Sequence, residues 1–406
     1  MNVLVINGSC LSVNSSANLC HLSYLQGLVD TGIQVSLLSA SPLGRHTDTM
    51  MKIPDGIDCH YVQAISLYER LSLAKMKHSG KQKQETASVA AESSGSVLRP
   101  LIRQIKNCVQ ALYGPHGIEK AFYNKGRNFT CDCAFDFVIS ISHPTVSHLT
   151  AYQLLKTKRI KAAHWIQIWE DPWYADAYGL NKKKAILNEE RRLLSVAEKV
   201  CYVSPLTLRN QQQLFPESAK KMFWQPLPSY YKSEKTTEKE HSRNCYSYFG
   251  DYIPAARDLR PFYEAAREVG IEVNICGNPF GLFQGTDNIH IYPRLSLSEL
   301  KPLEDSTNVL VFLCNRKGGQ IPGKIYQYSA TDKTILFILD GTVDEQDVLK
   351  EYFGRFNRYI FCQNTASDIA RAIQQIEAGA VGSTQNLPLD NFEPGKVVTA
   401  ILEAGR

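Results

Sequence analysis

The chain has 406 residues, of which 44% are hydrophobic and 10% aromatic, which is enough apolar material for the cores of two domains. The net charge of +5 comes without a homeodomain, zinc-finger or RNP-like pattern, which disfavours a nucleic-acid binder. The eleven cysteines lack the paired spacings of a zinc site and indicate reduced thiols in the cytoplasm. We expect no signal peptide in MNVLVINGS, and no stretch has the ~20 consecutive apolar residues of a spanning helix.

The first predicted unit is a strand, a helix and a second strand. Apolar runs predict strands at Val3 to Ile6 and Val35 to Leu38, and the spacing of leucines predicts a helix from Ser15 to Thr31. Gly8 and Ser9 follow the first strand without a G-x-G-x-x-G pattern, which disfavours a dinucleotide-binding domain. By itself, Gly8 is typical of a turn.

A polar stretch from Leu73 to Gly95 predicts a mobile loop, because it has little apolar surface to bury. Val97 to Leu112 then places apolar residues on one helical face and basic residues elsewhere. Two interpretations are open for this helix: it rests on anionic lipid headgroups, or it packs on its own domain.

Two further strands end in polar residues. Phe135 to Ser142 precedes His143, and His164 to Trp169 precedes Glu170 and Asp171. Enzymes with parallel sheets keep their chemistry at the carboxyl ends of strands. Asp171 therefore fits a general base, a ligand of substrate hydroxyl groups or a helix cap, and His143 fits either a catalytic group or a turn residue.

A polar connection from Lys232 to Asn244 separates this part from a second set of elements. Strands are predicted at Tyr246 to Gly250 and Glu272 to Cys276, with a helix from about Leu259 to Glu268 between them.

The second set continues with the most informative stretch of the chain. Val309 to Cys314 is an apolar run of strand length, a glycine-rich loop follows from Gly318 to Gly323, Lys324 begins a helix, and Thr334 to Leu339 is the next strand. Adjacent glycines and a helix amino terminus suit a pyrophosphate. Lys324 either adds a full charge there or lies on the solvent face.

A nucleotide-triphosphate P-loop is the first interpretation of this loop. Gly318, Gly323 and Lys324 fit the pattern, but Ile325 replaces the hydroxyl residue that ligates magnesium, and Pro322 removes a backbone N–H. The P-loop interpretation is therefore disfavoured.

The second interpretation is a resemblance. GGQIPGKIYQYSATDKTILFIL resembles the donor-site loop and helix of GT-B glycosyltransferases of the family 4 type. The passage YFGDYIPAARDLRPFYEAAREVGIEVNICG, residues 248–277, is similar to the start of their donor domain. The Asp171-Pro172-Trp173 segment also resembles a loop of one branch of this family. The resemblance implies an α/β fold of the GT-B type, with two Rossmann-like domains whose parallel sheets face an interdomain cleft.

The resemblance also implies the site. Gly8 and Ser9 would lie near donor and acceptor, Arg257 would contact the diphosphate after Gly250, and Arg294 would lie beneath the base. The donor loop itself comprises Gly319, Gln320, Ile321, Pro322, Gly323 and Lys324, with Gln327 at the ribose.

Three positions depart from the family pattern. Gln327 is an amide where a glutamate usually accepts the ribose hydroxyls, although its carbonyl oxygen still accepts hydrogen bonds. Gly319 or Gln320 stands where a second glutamate is common, and Asp251 replaces a basic residue after Gly250. Nucleotide-sugar binding remains plausible, but the usual contacts around the transferred sugar do not carry over.

The sequence therefore predicts an acceptor domain at 1–228, a donor domain at 229–389 and a terminal helix at 390–406 that packs back on the first domain. The predicted activity is transfer of a hexose from a nucleotide-diphosphate sugar to a glycan or lipid-linked glycan. We expect the nucleotide of the donor to be UDP. The resemblance implies retention of configuration and no metal, and we expect no cofactor and no nucleic-acid partner. The expected location is the cytoplasm or the inner face of a membrane. A GT-B epimerase and a non-catalytic nucleotide-sugar binder are the alternatives.

Overall fold

The computed structural model describes residues 1–45, 47–64, 114–176, 182–231, 233, 244–380 and 386–406. Within these ranges the strands form two parallel sheets. The first has seven strands in the order β3-β2-β1-β4-β5-β6-β7, and the second has six in the order β10-β9-β8-β11-β12-β13. The predicted α/β class with two parallel sheets is confirmed.

The strands of the first sheet are β1 Asn2–Asn7, β2 Gln34–Ala40, β3 Asp58–Val62, β4 Ala134–Ser142, β5 Lys161–Trp169, β6 Lys199–Tyr202 and β7 Met222–Trp224. Those of the second are β8 Cys245–Phe249, β9 Glu272–Cys276, β10 Ile289–Tyr292, β11 Val309–Leu313, β12 Thr334–Leu339 and β13 Tyr359–Gln363. Every pairing in both sheets is parallel.

The described α-helices are α1 Ser16–Asp30, α2 Lys120–Gly126, α3 Val146–Lys156, α4 Lys184–Val196, α5 Pro205–Leu214, α6 Arg260–Val269, α7 Leu297–Ser306, α8 Lys324–Ser329, α9 Val343–Gly354, α10 Ala366–Glu377 and α11 Pro394–Ala404. Short 3-10 helices lie at Gly117–Glu119 and Pro216–Lys221. No described helix is both long and apolar enough to cross a lipid bilayer.

The central strands are buried on both faces, which explains their continuous apolar runs. In β1, Val3 and Val5 face one apolar cluster, whereas Leu4 and Ile6 face another. In β11, Leu310 and Phe312 belong to the same cluster as Val3 and Val5. A single apolar cluster therefore extends through both sheets.

The carboxyl-terminal helix α11 packs against α1 of the first half. Val397 and Ile401 are buried in the shared apolar cluster, and Phe392 ahead of the helix is buried with them. A Cβ at Gly27 of α1 would lie 2.3 Å from the carbonyl oxygen of Pro394, so the close approach requires glycine at this point. The domain boundary at residue 228 stays a prediction; it falls between Trp224, where β7 ends, and Cys245, where β8 begins.

Some elements were not predicted. The strand Asp58–Val62 is half exposed and carries little apolar signal, and the helices Pro205–Leu214 and Val343–Gly354 have few buried residues each. Polar surfaces give weak periodicity. The predicted loop at 73–95 and helix at 97–112 lie outside the described residues.

Candidate functional site

Both sheets have a point where the order of strands reverses. In the second sheet it lies between β8 and β11, and in the first between β1 and β4. Loops that leave neighbouring strands in opposite directions open a crevice at the carboxyl edge, where α/β proteins bind ligands. Gly250 follows β8 and the glycine-rich loop follows β11, so both belong to this crevice in the second sheet.

A cleft of about 350 Å³ lies between the two halves. Most predicted site residues line it: Asp171, Gly250, Arg257, Arg294, Gln320, Ile321, Pro322, Gly323, Lys324 and Gln327. Gly8, Ser9, His143 and Gly319 are not among the residues that line this cleft. The structure thus brings Asp171 together with Gly250, the two arginines and most of the glycine-rich loop, and leaves Gly8, Ser9, His143 and Gly319 outside the cleft lining.

Gly8, Ser9 and His143 form a packed junction at the reversal point of the first sheet. The Ser9 hydroxyl donates a hydrogen bond of 3.2 Å to the carbonyl oxygen of His143, and the amide of Gly8 donates to the hydroxyl of Ser147 at 3.0 Å. A Cβ at Gly8 would lie 2.8 Å from Cγ of Pro144. Close packing against Pro144 therefore explains why residue 8 is a glycine.

The glycine-rich loop docks on the first half of the chain. Gly318 and Gly319 have φ of +100° and +72°, which favours glycine at both positions. The carbonyl oxygen of Gly319 accepts hydrogen bonds from the hydroxyls of Ser204 at 2.6 Å and Thr207 at 3.2 Å. A Cβ at Gly319 would lie 2.9 Å from Cβ of Leu206. Gly319 therefore lies at the contact between the two halves and not in the cleft wall.

The helix after this loop is short, since it spans only Lys324–Ser329. The amides of Ile325 and Tyr326 donate to the carbonyl oxygens of Pro322 and Gly323 at 3.3 Å each. These turns already use N–H groups that the sequence assigned to an anion. Arg257, Arg294 and Lys324 supply cationic side chains to the same cleft.

Arginine supplies much of that charge. Nε of Arg257 donates to Oδ1 of Asn315 at 2.7 Å, and its Nη1 donates to the carbonyl oxygen of Asp251 at 3.3 Å. Nη1 of Arg294 lies 3.6 Å from the carboxylate of Asp251. Arg260 instead forms a bidentate pair with Asp258 and does not line the cleft.

Lys324 lines the cleft wall and does not lie on the solvent face, the second of its two sequence interpretations. Its Nζ lies 3.7 Å from Oε1 of Glu304, and the hydroxyl of Tyr231 donates to both carboxylate oxygens of Glu304 at 3.0 and 2.9 Å. Burial lowers the pKa of the Lys324 ammonium, and Glu304 opposes this shift. The lysine is thus a paired group in the cleft wall. Gln327, one turn later, lines the cleft and is buried.

The first half contributes two adjacent acids, Glu170 and Asp171, from the loop after β5. The side-chain amide of Gln320 donates to Oδ1 of Asp171. Glu170 was noted in the sequence only as a neighbour of Asp171. It is buried beside His21 of α1, and no sequence signal marked that histidine, because its partner is distant in the chain.

No protein-family model and no curated protein sequence matches the chain. Solved structures do match over nearly the full length. A glycosyltransferase from Rickettsia africae shares 11% identity, with 99% of this chain and 98% of that chain covered and a TM-score of 0.52. A protein described as a UDP-N-acetylglucosamine 2-epimerase from Listeria monocytogenes gives 11% identity, 99% and 95% coverage and a TM-score of 0.51.

A sucrose-phosphate synthase from Thermosynechococcus elongatus is also similar, with 12% identity, 97% and 94% coverage and a TM-score of 0.50. The chain has the GT-B fold. At these identities the likeness establishes the fold, and membership of family 4 stays a prediction. The GT-B fold places the carboxyl edges of the two sheets on either side of the cleft described above.

Proposed function

We propose that this GT-B protein is a glycosyltransferase that moves a hexose from a UDP-linked sugar to a glycan or lipid-linked glycan. The observation that carries the proposal is the cleft where Arg257, Arg294 and Gln327 of the second half face Glu170 and Asp171 of the first. Cations opposite acids fit a donor whose diphosphate carries negative charge and whose sugar carries hydroxyls. The names of two fold neighbours, a glycosyltransferase and a sucrose-phosphate synthase, support this reaction class.

In this proposal the diphosphate lies against Arg257 and Arg294, beyond the turn at Gly250. Fixed guanidinium groups stabilise the charge that develops on the leaving diphosphate, which is the main task of a metal-free transferase. Asn315 holds Arg257 in place through the 2.7 Å hydrogen bond. Gln327 reaches the ribose through its side-chain amide. Lys324 adds its positive charge when the diphosphate competes with Glu304 for the ammonium group.

On the acceptor side, we propose that Asp171 binds a sugar hydroxyl, since its carboxylate lines the cleft. His143, the second predicted catalytic residue, does not line the cleft, although it lowers the pKa of Glu170. Retention of configuration and independence of metal follow from the family resemblance alone. Both are read from one reaction: proton NMR of the product gives the anomeric configuration, and EDTA is expected to leave the rate unchanged.

The first experiment measures nucleotide binding. We expect a thermal-shift panel of UDP, GDP, dTDP and CMP to single out UDP, because selective binding stabilises the folded state. In calorimetry, Arg257→Ala is expected to weaken UDP binding by roughly tenfold, the loss of one charge-assisted contact. Arg260→Ala is the matched control, because Arg260 pairs with Asp258 away from the cleft. Equal UDP affinities for the parent and Arg257→Ala would remove the proposed diphosphate site.

The second experiment separates transfer from epimerisation. An epimerase needs only the nucleotide sugar, whereas a transferase releases UDP only when an acceptor is present. The epimerase remains a candidate because a protein described as one shares this fold. A new nucleotide sugar formed without any acceptor would decide in its favour, and UDP binding without turnover of any tested sugar would favour a non-catalytic binder.

Peripheral membrane contact is a separate part of the proposal. It rests on the basic residues at 73–112, which lie outside the described residues. About 1 kcal/mol of attraction per basic residue near an anionic surface is enough for reversible docking by four or five of them. Cosedimentation with anionic vesicles is expected at low salt, with release at high salt and loss in a deletion of 73–95. Vesicle binding that changes neither with salt concentration nor with the deletion would exclude this role.

A further inference from the structure

A buried acid–imidazole pair lies at the wall of the cleft. Glu170 is 8% exposed and lines the cleft, and His21 of α1 is 1% exposed. Nε2 of His21 lies 3.2 Å from Oε2 of Glu170. Oε1 of Glu170 has no hydrogen-bond partner among the described residues. That oxygen is itself buried, and a buried carboxylate oxygen without a partner needs an explanation, which a ligand hydroxyl at this wall of the cleft would supply.

The surroundings of this pair place several titratable groups together. Those that face Glu170 or its immediate neighbours are Cys20, Tyr24, His143, Asp171 and Tyr326. Burial is the largest effect and raises the pKa of Glu170, and Asp171 raises it further, whereas His21 and His143 lower it. A carboxyl group whose pKa lies closer to neutrality is a more effective proton acceptor than an ordinary surface acid.

We infer that Glu170 accepts the proton of the acceptor hydroxyl during transfer and that His21 positions the Glu170 carboxylate. This inference rests on the proposed glycosyltransferase activity. The acceptor oxygen forms a bond to the anomeric carbon on the face from which the diphosphate departs, as the proposed retention requires, and the bond from that carbon to the diphosphate oxygen breaks. The diphosphate leaves with the electron pair, and the hydroxyl proton passes to Oε1 of Glu170, so charge and atoms balance without a further reactant.

Asp171 is less suited to this step, although it is the neighbouring acid. Its Oδ1 already accepts the side-chain amide of Gln320 from the other half. A proton acceptor must present a free lone pair within hydrogen-bond reach of the reacting hydroxyl. Oε1 of Glu170 has no such partner among the described residues and lies in the more buried of the two acids, which raises its pKa, so we assign the proton to Glu170 and the binding of a hydroxyl to Asp171.

The test compares Glu170→Gln with the parent in two measurements. The change removes the proton acceptor but keeps the shape, so we expect kcat at neutral pH to fall by roughly 10²–10⁴-fold while the Kd for UDP stays within twofold. Glu189→Gln is the matched control. Nε2 of His116 lies 3.0 Å from Oε1 of Glu189, which gives a second histidine–glutamate pair that does not line the cleft. This variant is expected to keep the parent rate within twofold.

His21→Asn tests the positioning role through the pH profile of kcat. Removing the imidazole removes a group that lowers the pKa of Glu170, so the acidic limb of the profile is expected to move to higher pH. Glu170→Asp keeps the carboxylate and is expected to retain more activity than Glu170→Gln. A purely structural role would lower activity in both variants without moving the limb.

Three results overturn the inference. The first is a kcat in Glu170→Gln equal to that of the parent, and the second is a loss of UDP affinity in that variant as large as its loss of kcat. The third is a pH profile of kcat in His21→Asn whose acidic limb lies where it does in the parent. If Glu170→Gln fails to fold, the pH profile of His21→Asn decides alone. Failure of the proposed function is distinct, because the parent itself would then turn over no nucleotide sugar with any acceptor, and the inference would fall with it.

Discussion

The side-chain amide of Gln320 donates a hydrogen bond to the carboxylate of Asp171 across the cleft. These two residues belong to different sheets, and the carbonyl oxygen of the preceding Gly319 is bound by hydroxyls of the first half. The two halves of the GT-B fold therefore meet at the loop that we assign to the donor. Changes in this contact should affect the closure of the cleft directly.

Gln320→Glu is expected to destabilise this contact, because two carboxylates would then face each other. We expect the free energy of unfolding to fall by about 1 kcal/mol more than in Gln320→Ala, which only removes the hydrogen bond. Urea unfolding of both variants measures the difference. In an Asp171→Asn background the two variants should unfold alike, and a difference that persists there would show that the repulsion comes from elsewhere.

Gln327→Ala is expected to weaken UDP binding by about fivefold, which is the contribution of one net hydrogen bond near 1 kcal/mol. Gln327 is buried and lines the cleft, so its amide has access to a bound ribose. Calorimetry with UDP measures the change, and Gln374→Ala on an exposed surface of α10 is the control. Unchanged affinity in Gln327→Ala would place the ribose elsewhere.

Glu190 is expected to make stability depend on pH. Its carboxylate is fully buried and accepts the amides of Trp173 at 3.2 Å and Tyr174 at 2.7 Å. Burial raises its pKa to about 7 and outweighs these hydrogen bonds, so the folded state holds one more proton than the unfolded state from about pH 4.5 to 7. Stability from this group is therefore lost as the pH rises through that window, by roughly 3 kcal/mol.

Glu190→Gln removes this titration. Urea unfolding at several values between about pH 5 and pH 8 is expected to give a shallower fall in stability than in the parent over that range. Glu264→Gln, on an exposed turn of α6, is the control and should leave the slope unchanged. If stability falls with pH as steeply in Glu190→Gln as in the parent, the pH dependence comes from other groups.

Gly27→Ala is expected to loosen the carboxyl-terminal helix. The new Cβ would lie 2.3 Å from the carbonyl oxygen of Pro394, and backbone cannot move aside as a flexible side chain does. We expect a loss of about 1–3 kcal/mol in the free energy of unfolding, the usual cost of overpacking. Gly354→Ala meets nothing within 4 Å and should be neutral or slightly stabilising. Equal stabilities for the two variants would contradict this packing.

Much of the sheet architecture was predictable because buried parallel strands leave a local signal. Thr334–Leu339 was predicted with its exact bounds, and the strand after Asn308 within one residue, since both are apolar almost throughout. The strand Tyr359–Gln363 was not predicted. It is only partly buried, so its apolar and polar residues do not form a continuous run.

The candidate site was predictable only where it depends on neighbours in sequence. The glycine-rich loop, Arg257 and Gln327 follow from a local motif, and they do line or adjoin one cleft. His21 carries no such mark, because a histidine in an amphipathic helix is usually a core residue. Its partner Glu170 was named but given no role of its own, since the side chain that faces it comes from another element.

The sequence by itself determined the buried strands such as β11 and β12 and the turn that follows β11, because apolar periodicity and glycine act over a few residues. Only the tertiary structure decided which polar groups face each other. It pairs Lys324 with Glu304. It also places Gly319, which the sequence assigned to a phosphate-binding loop, in contact with Leu206 of the first half. The physical reason is that contacts between distant segments depend on how the two sheets pack, and no short stretch of the chain encodes that packing.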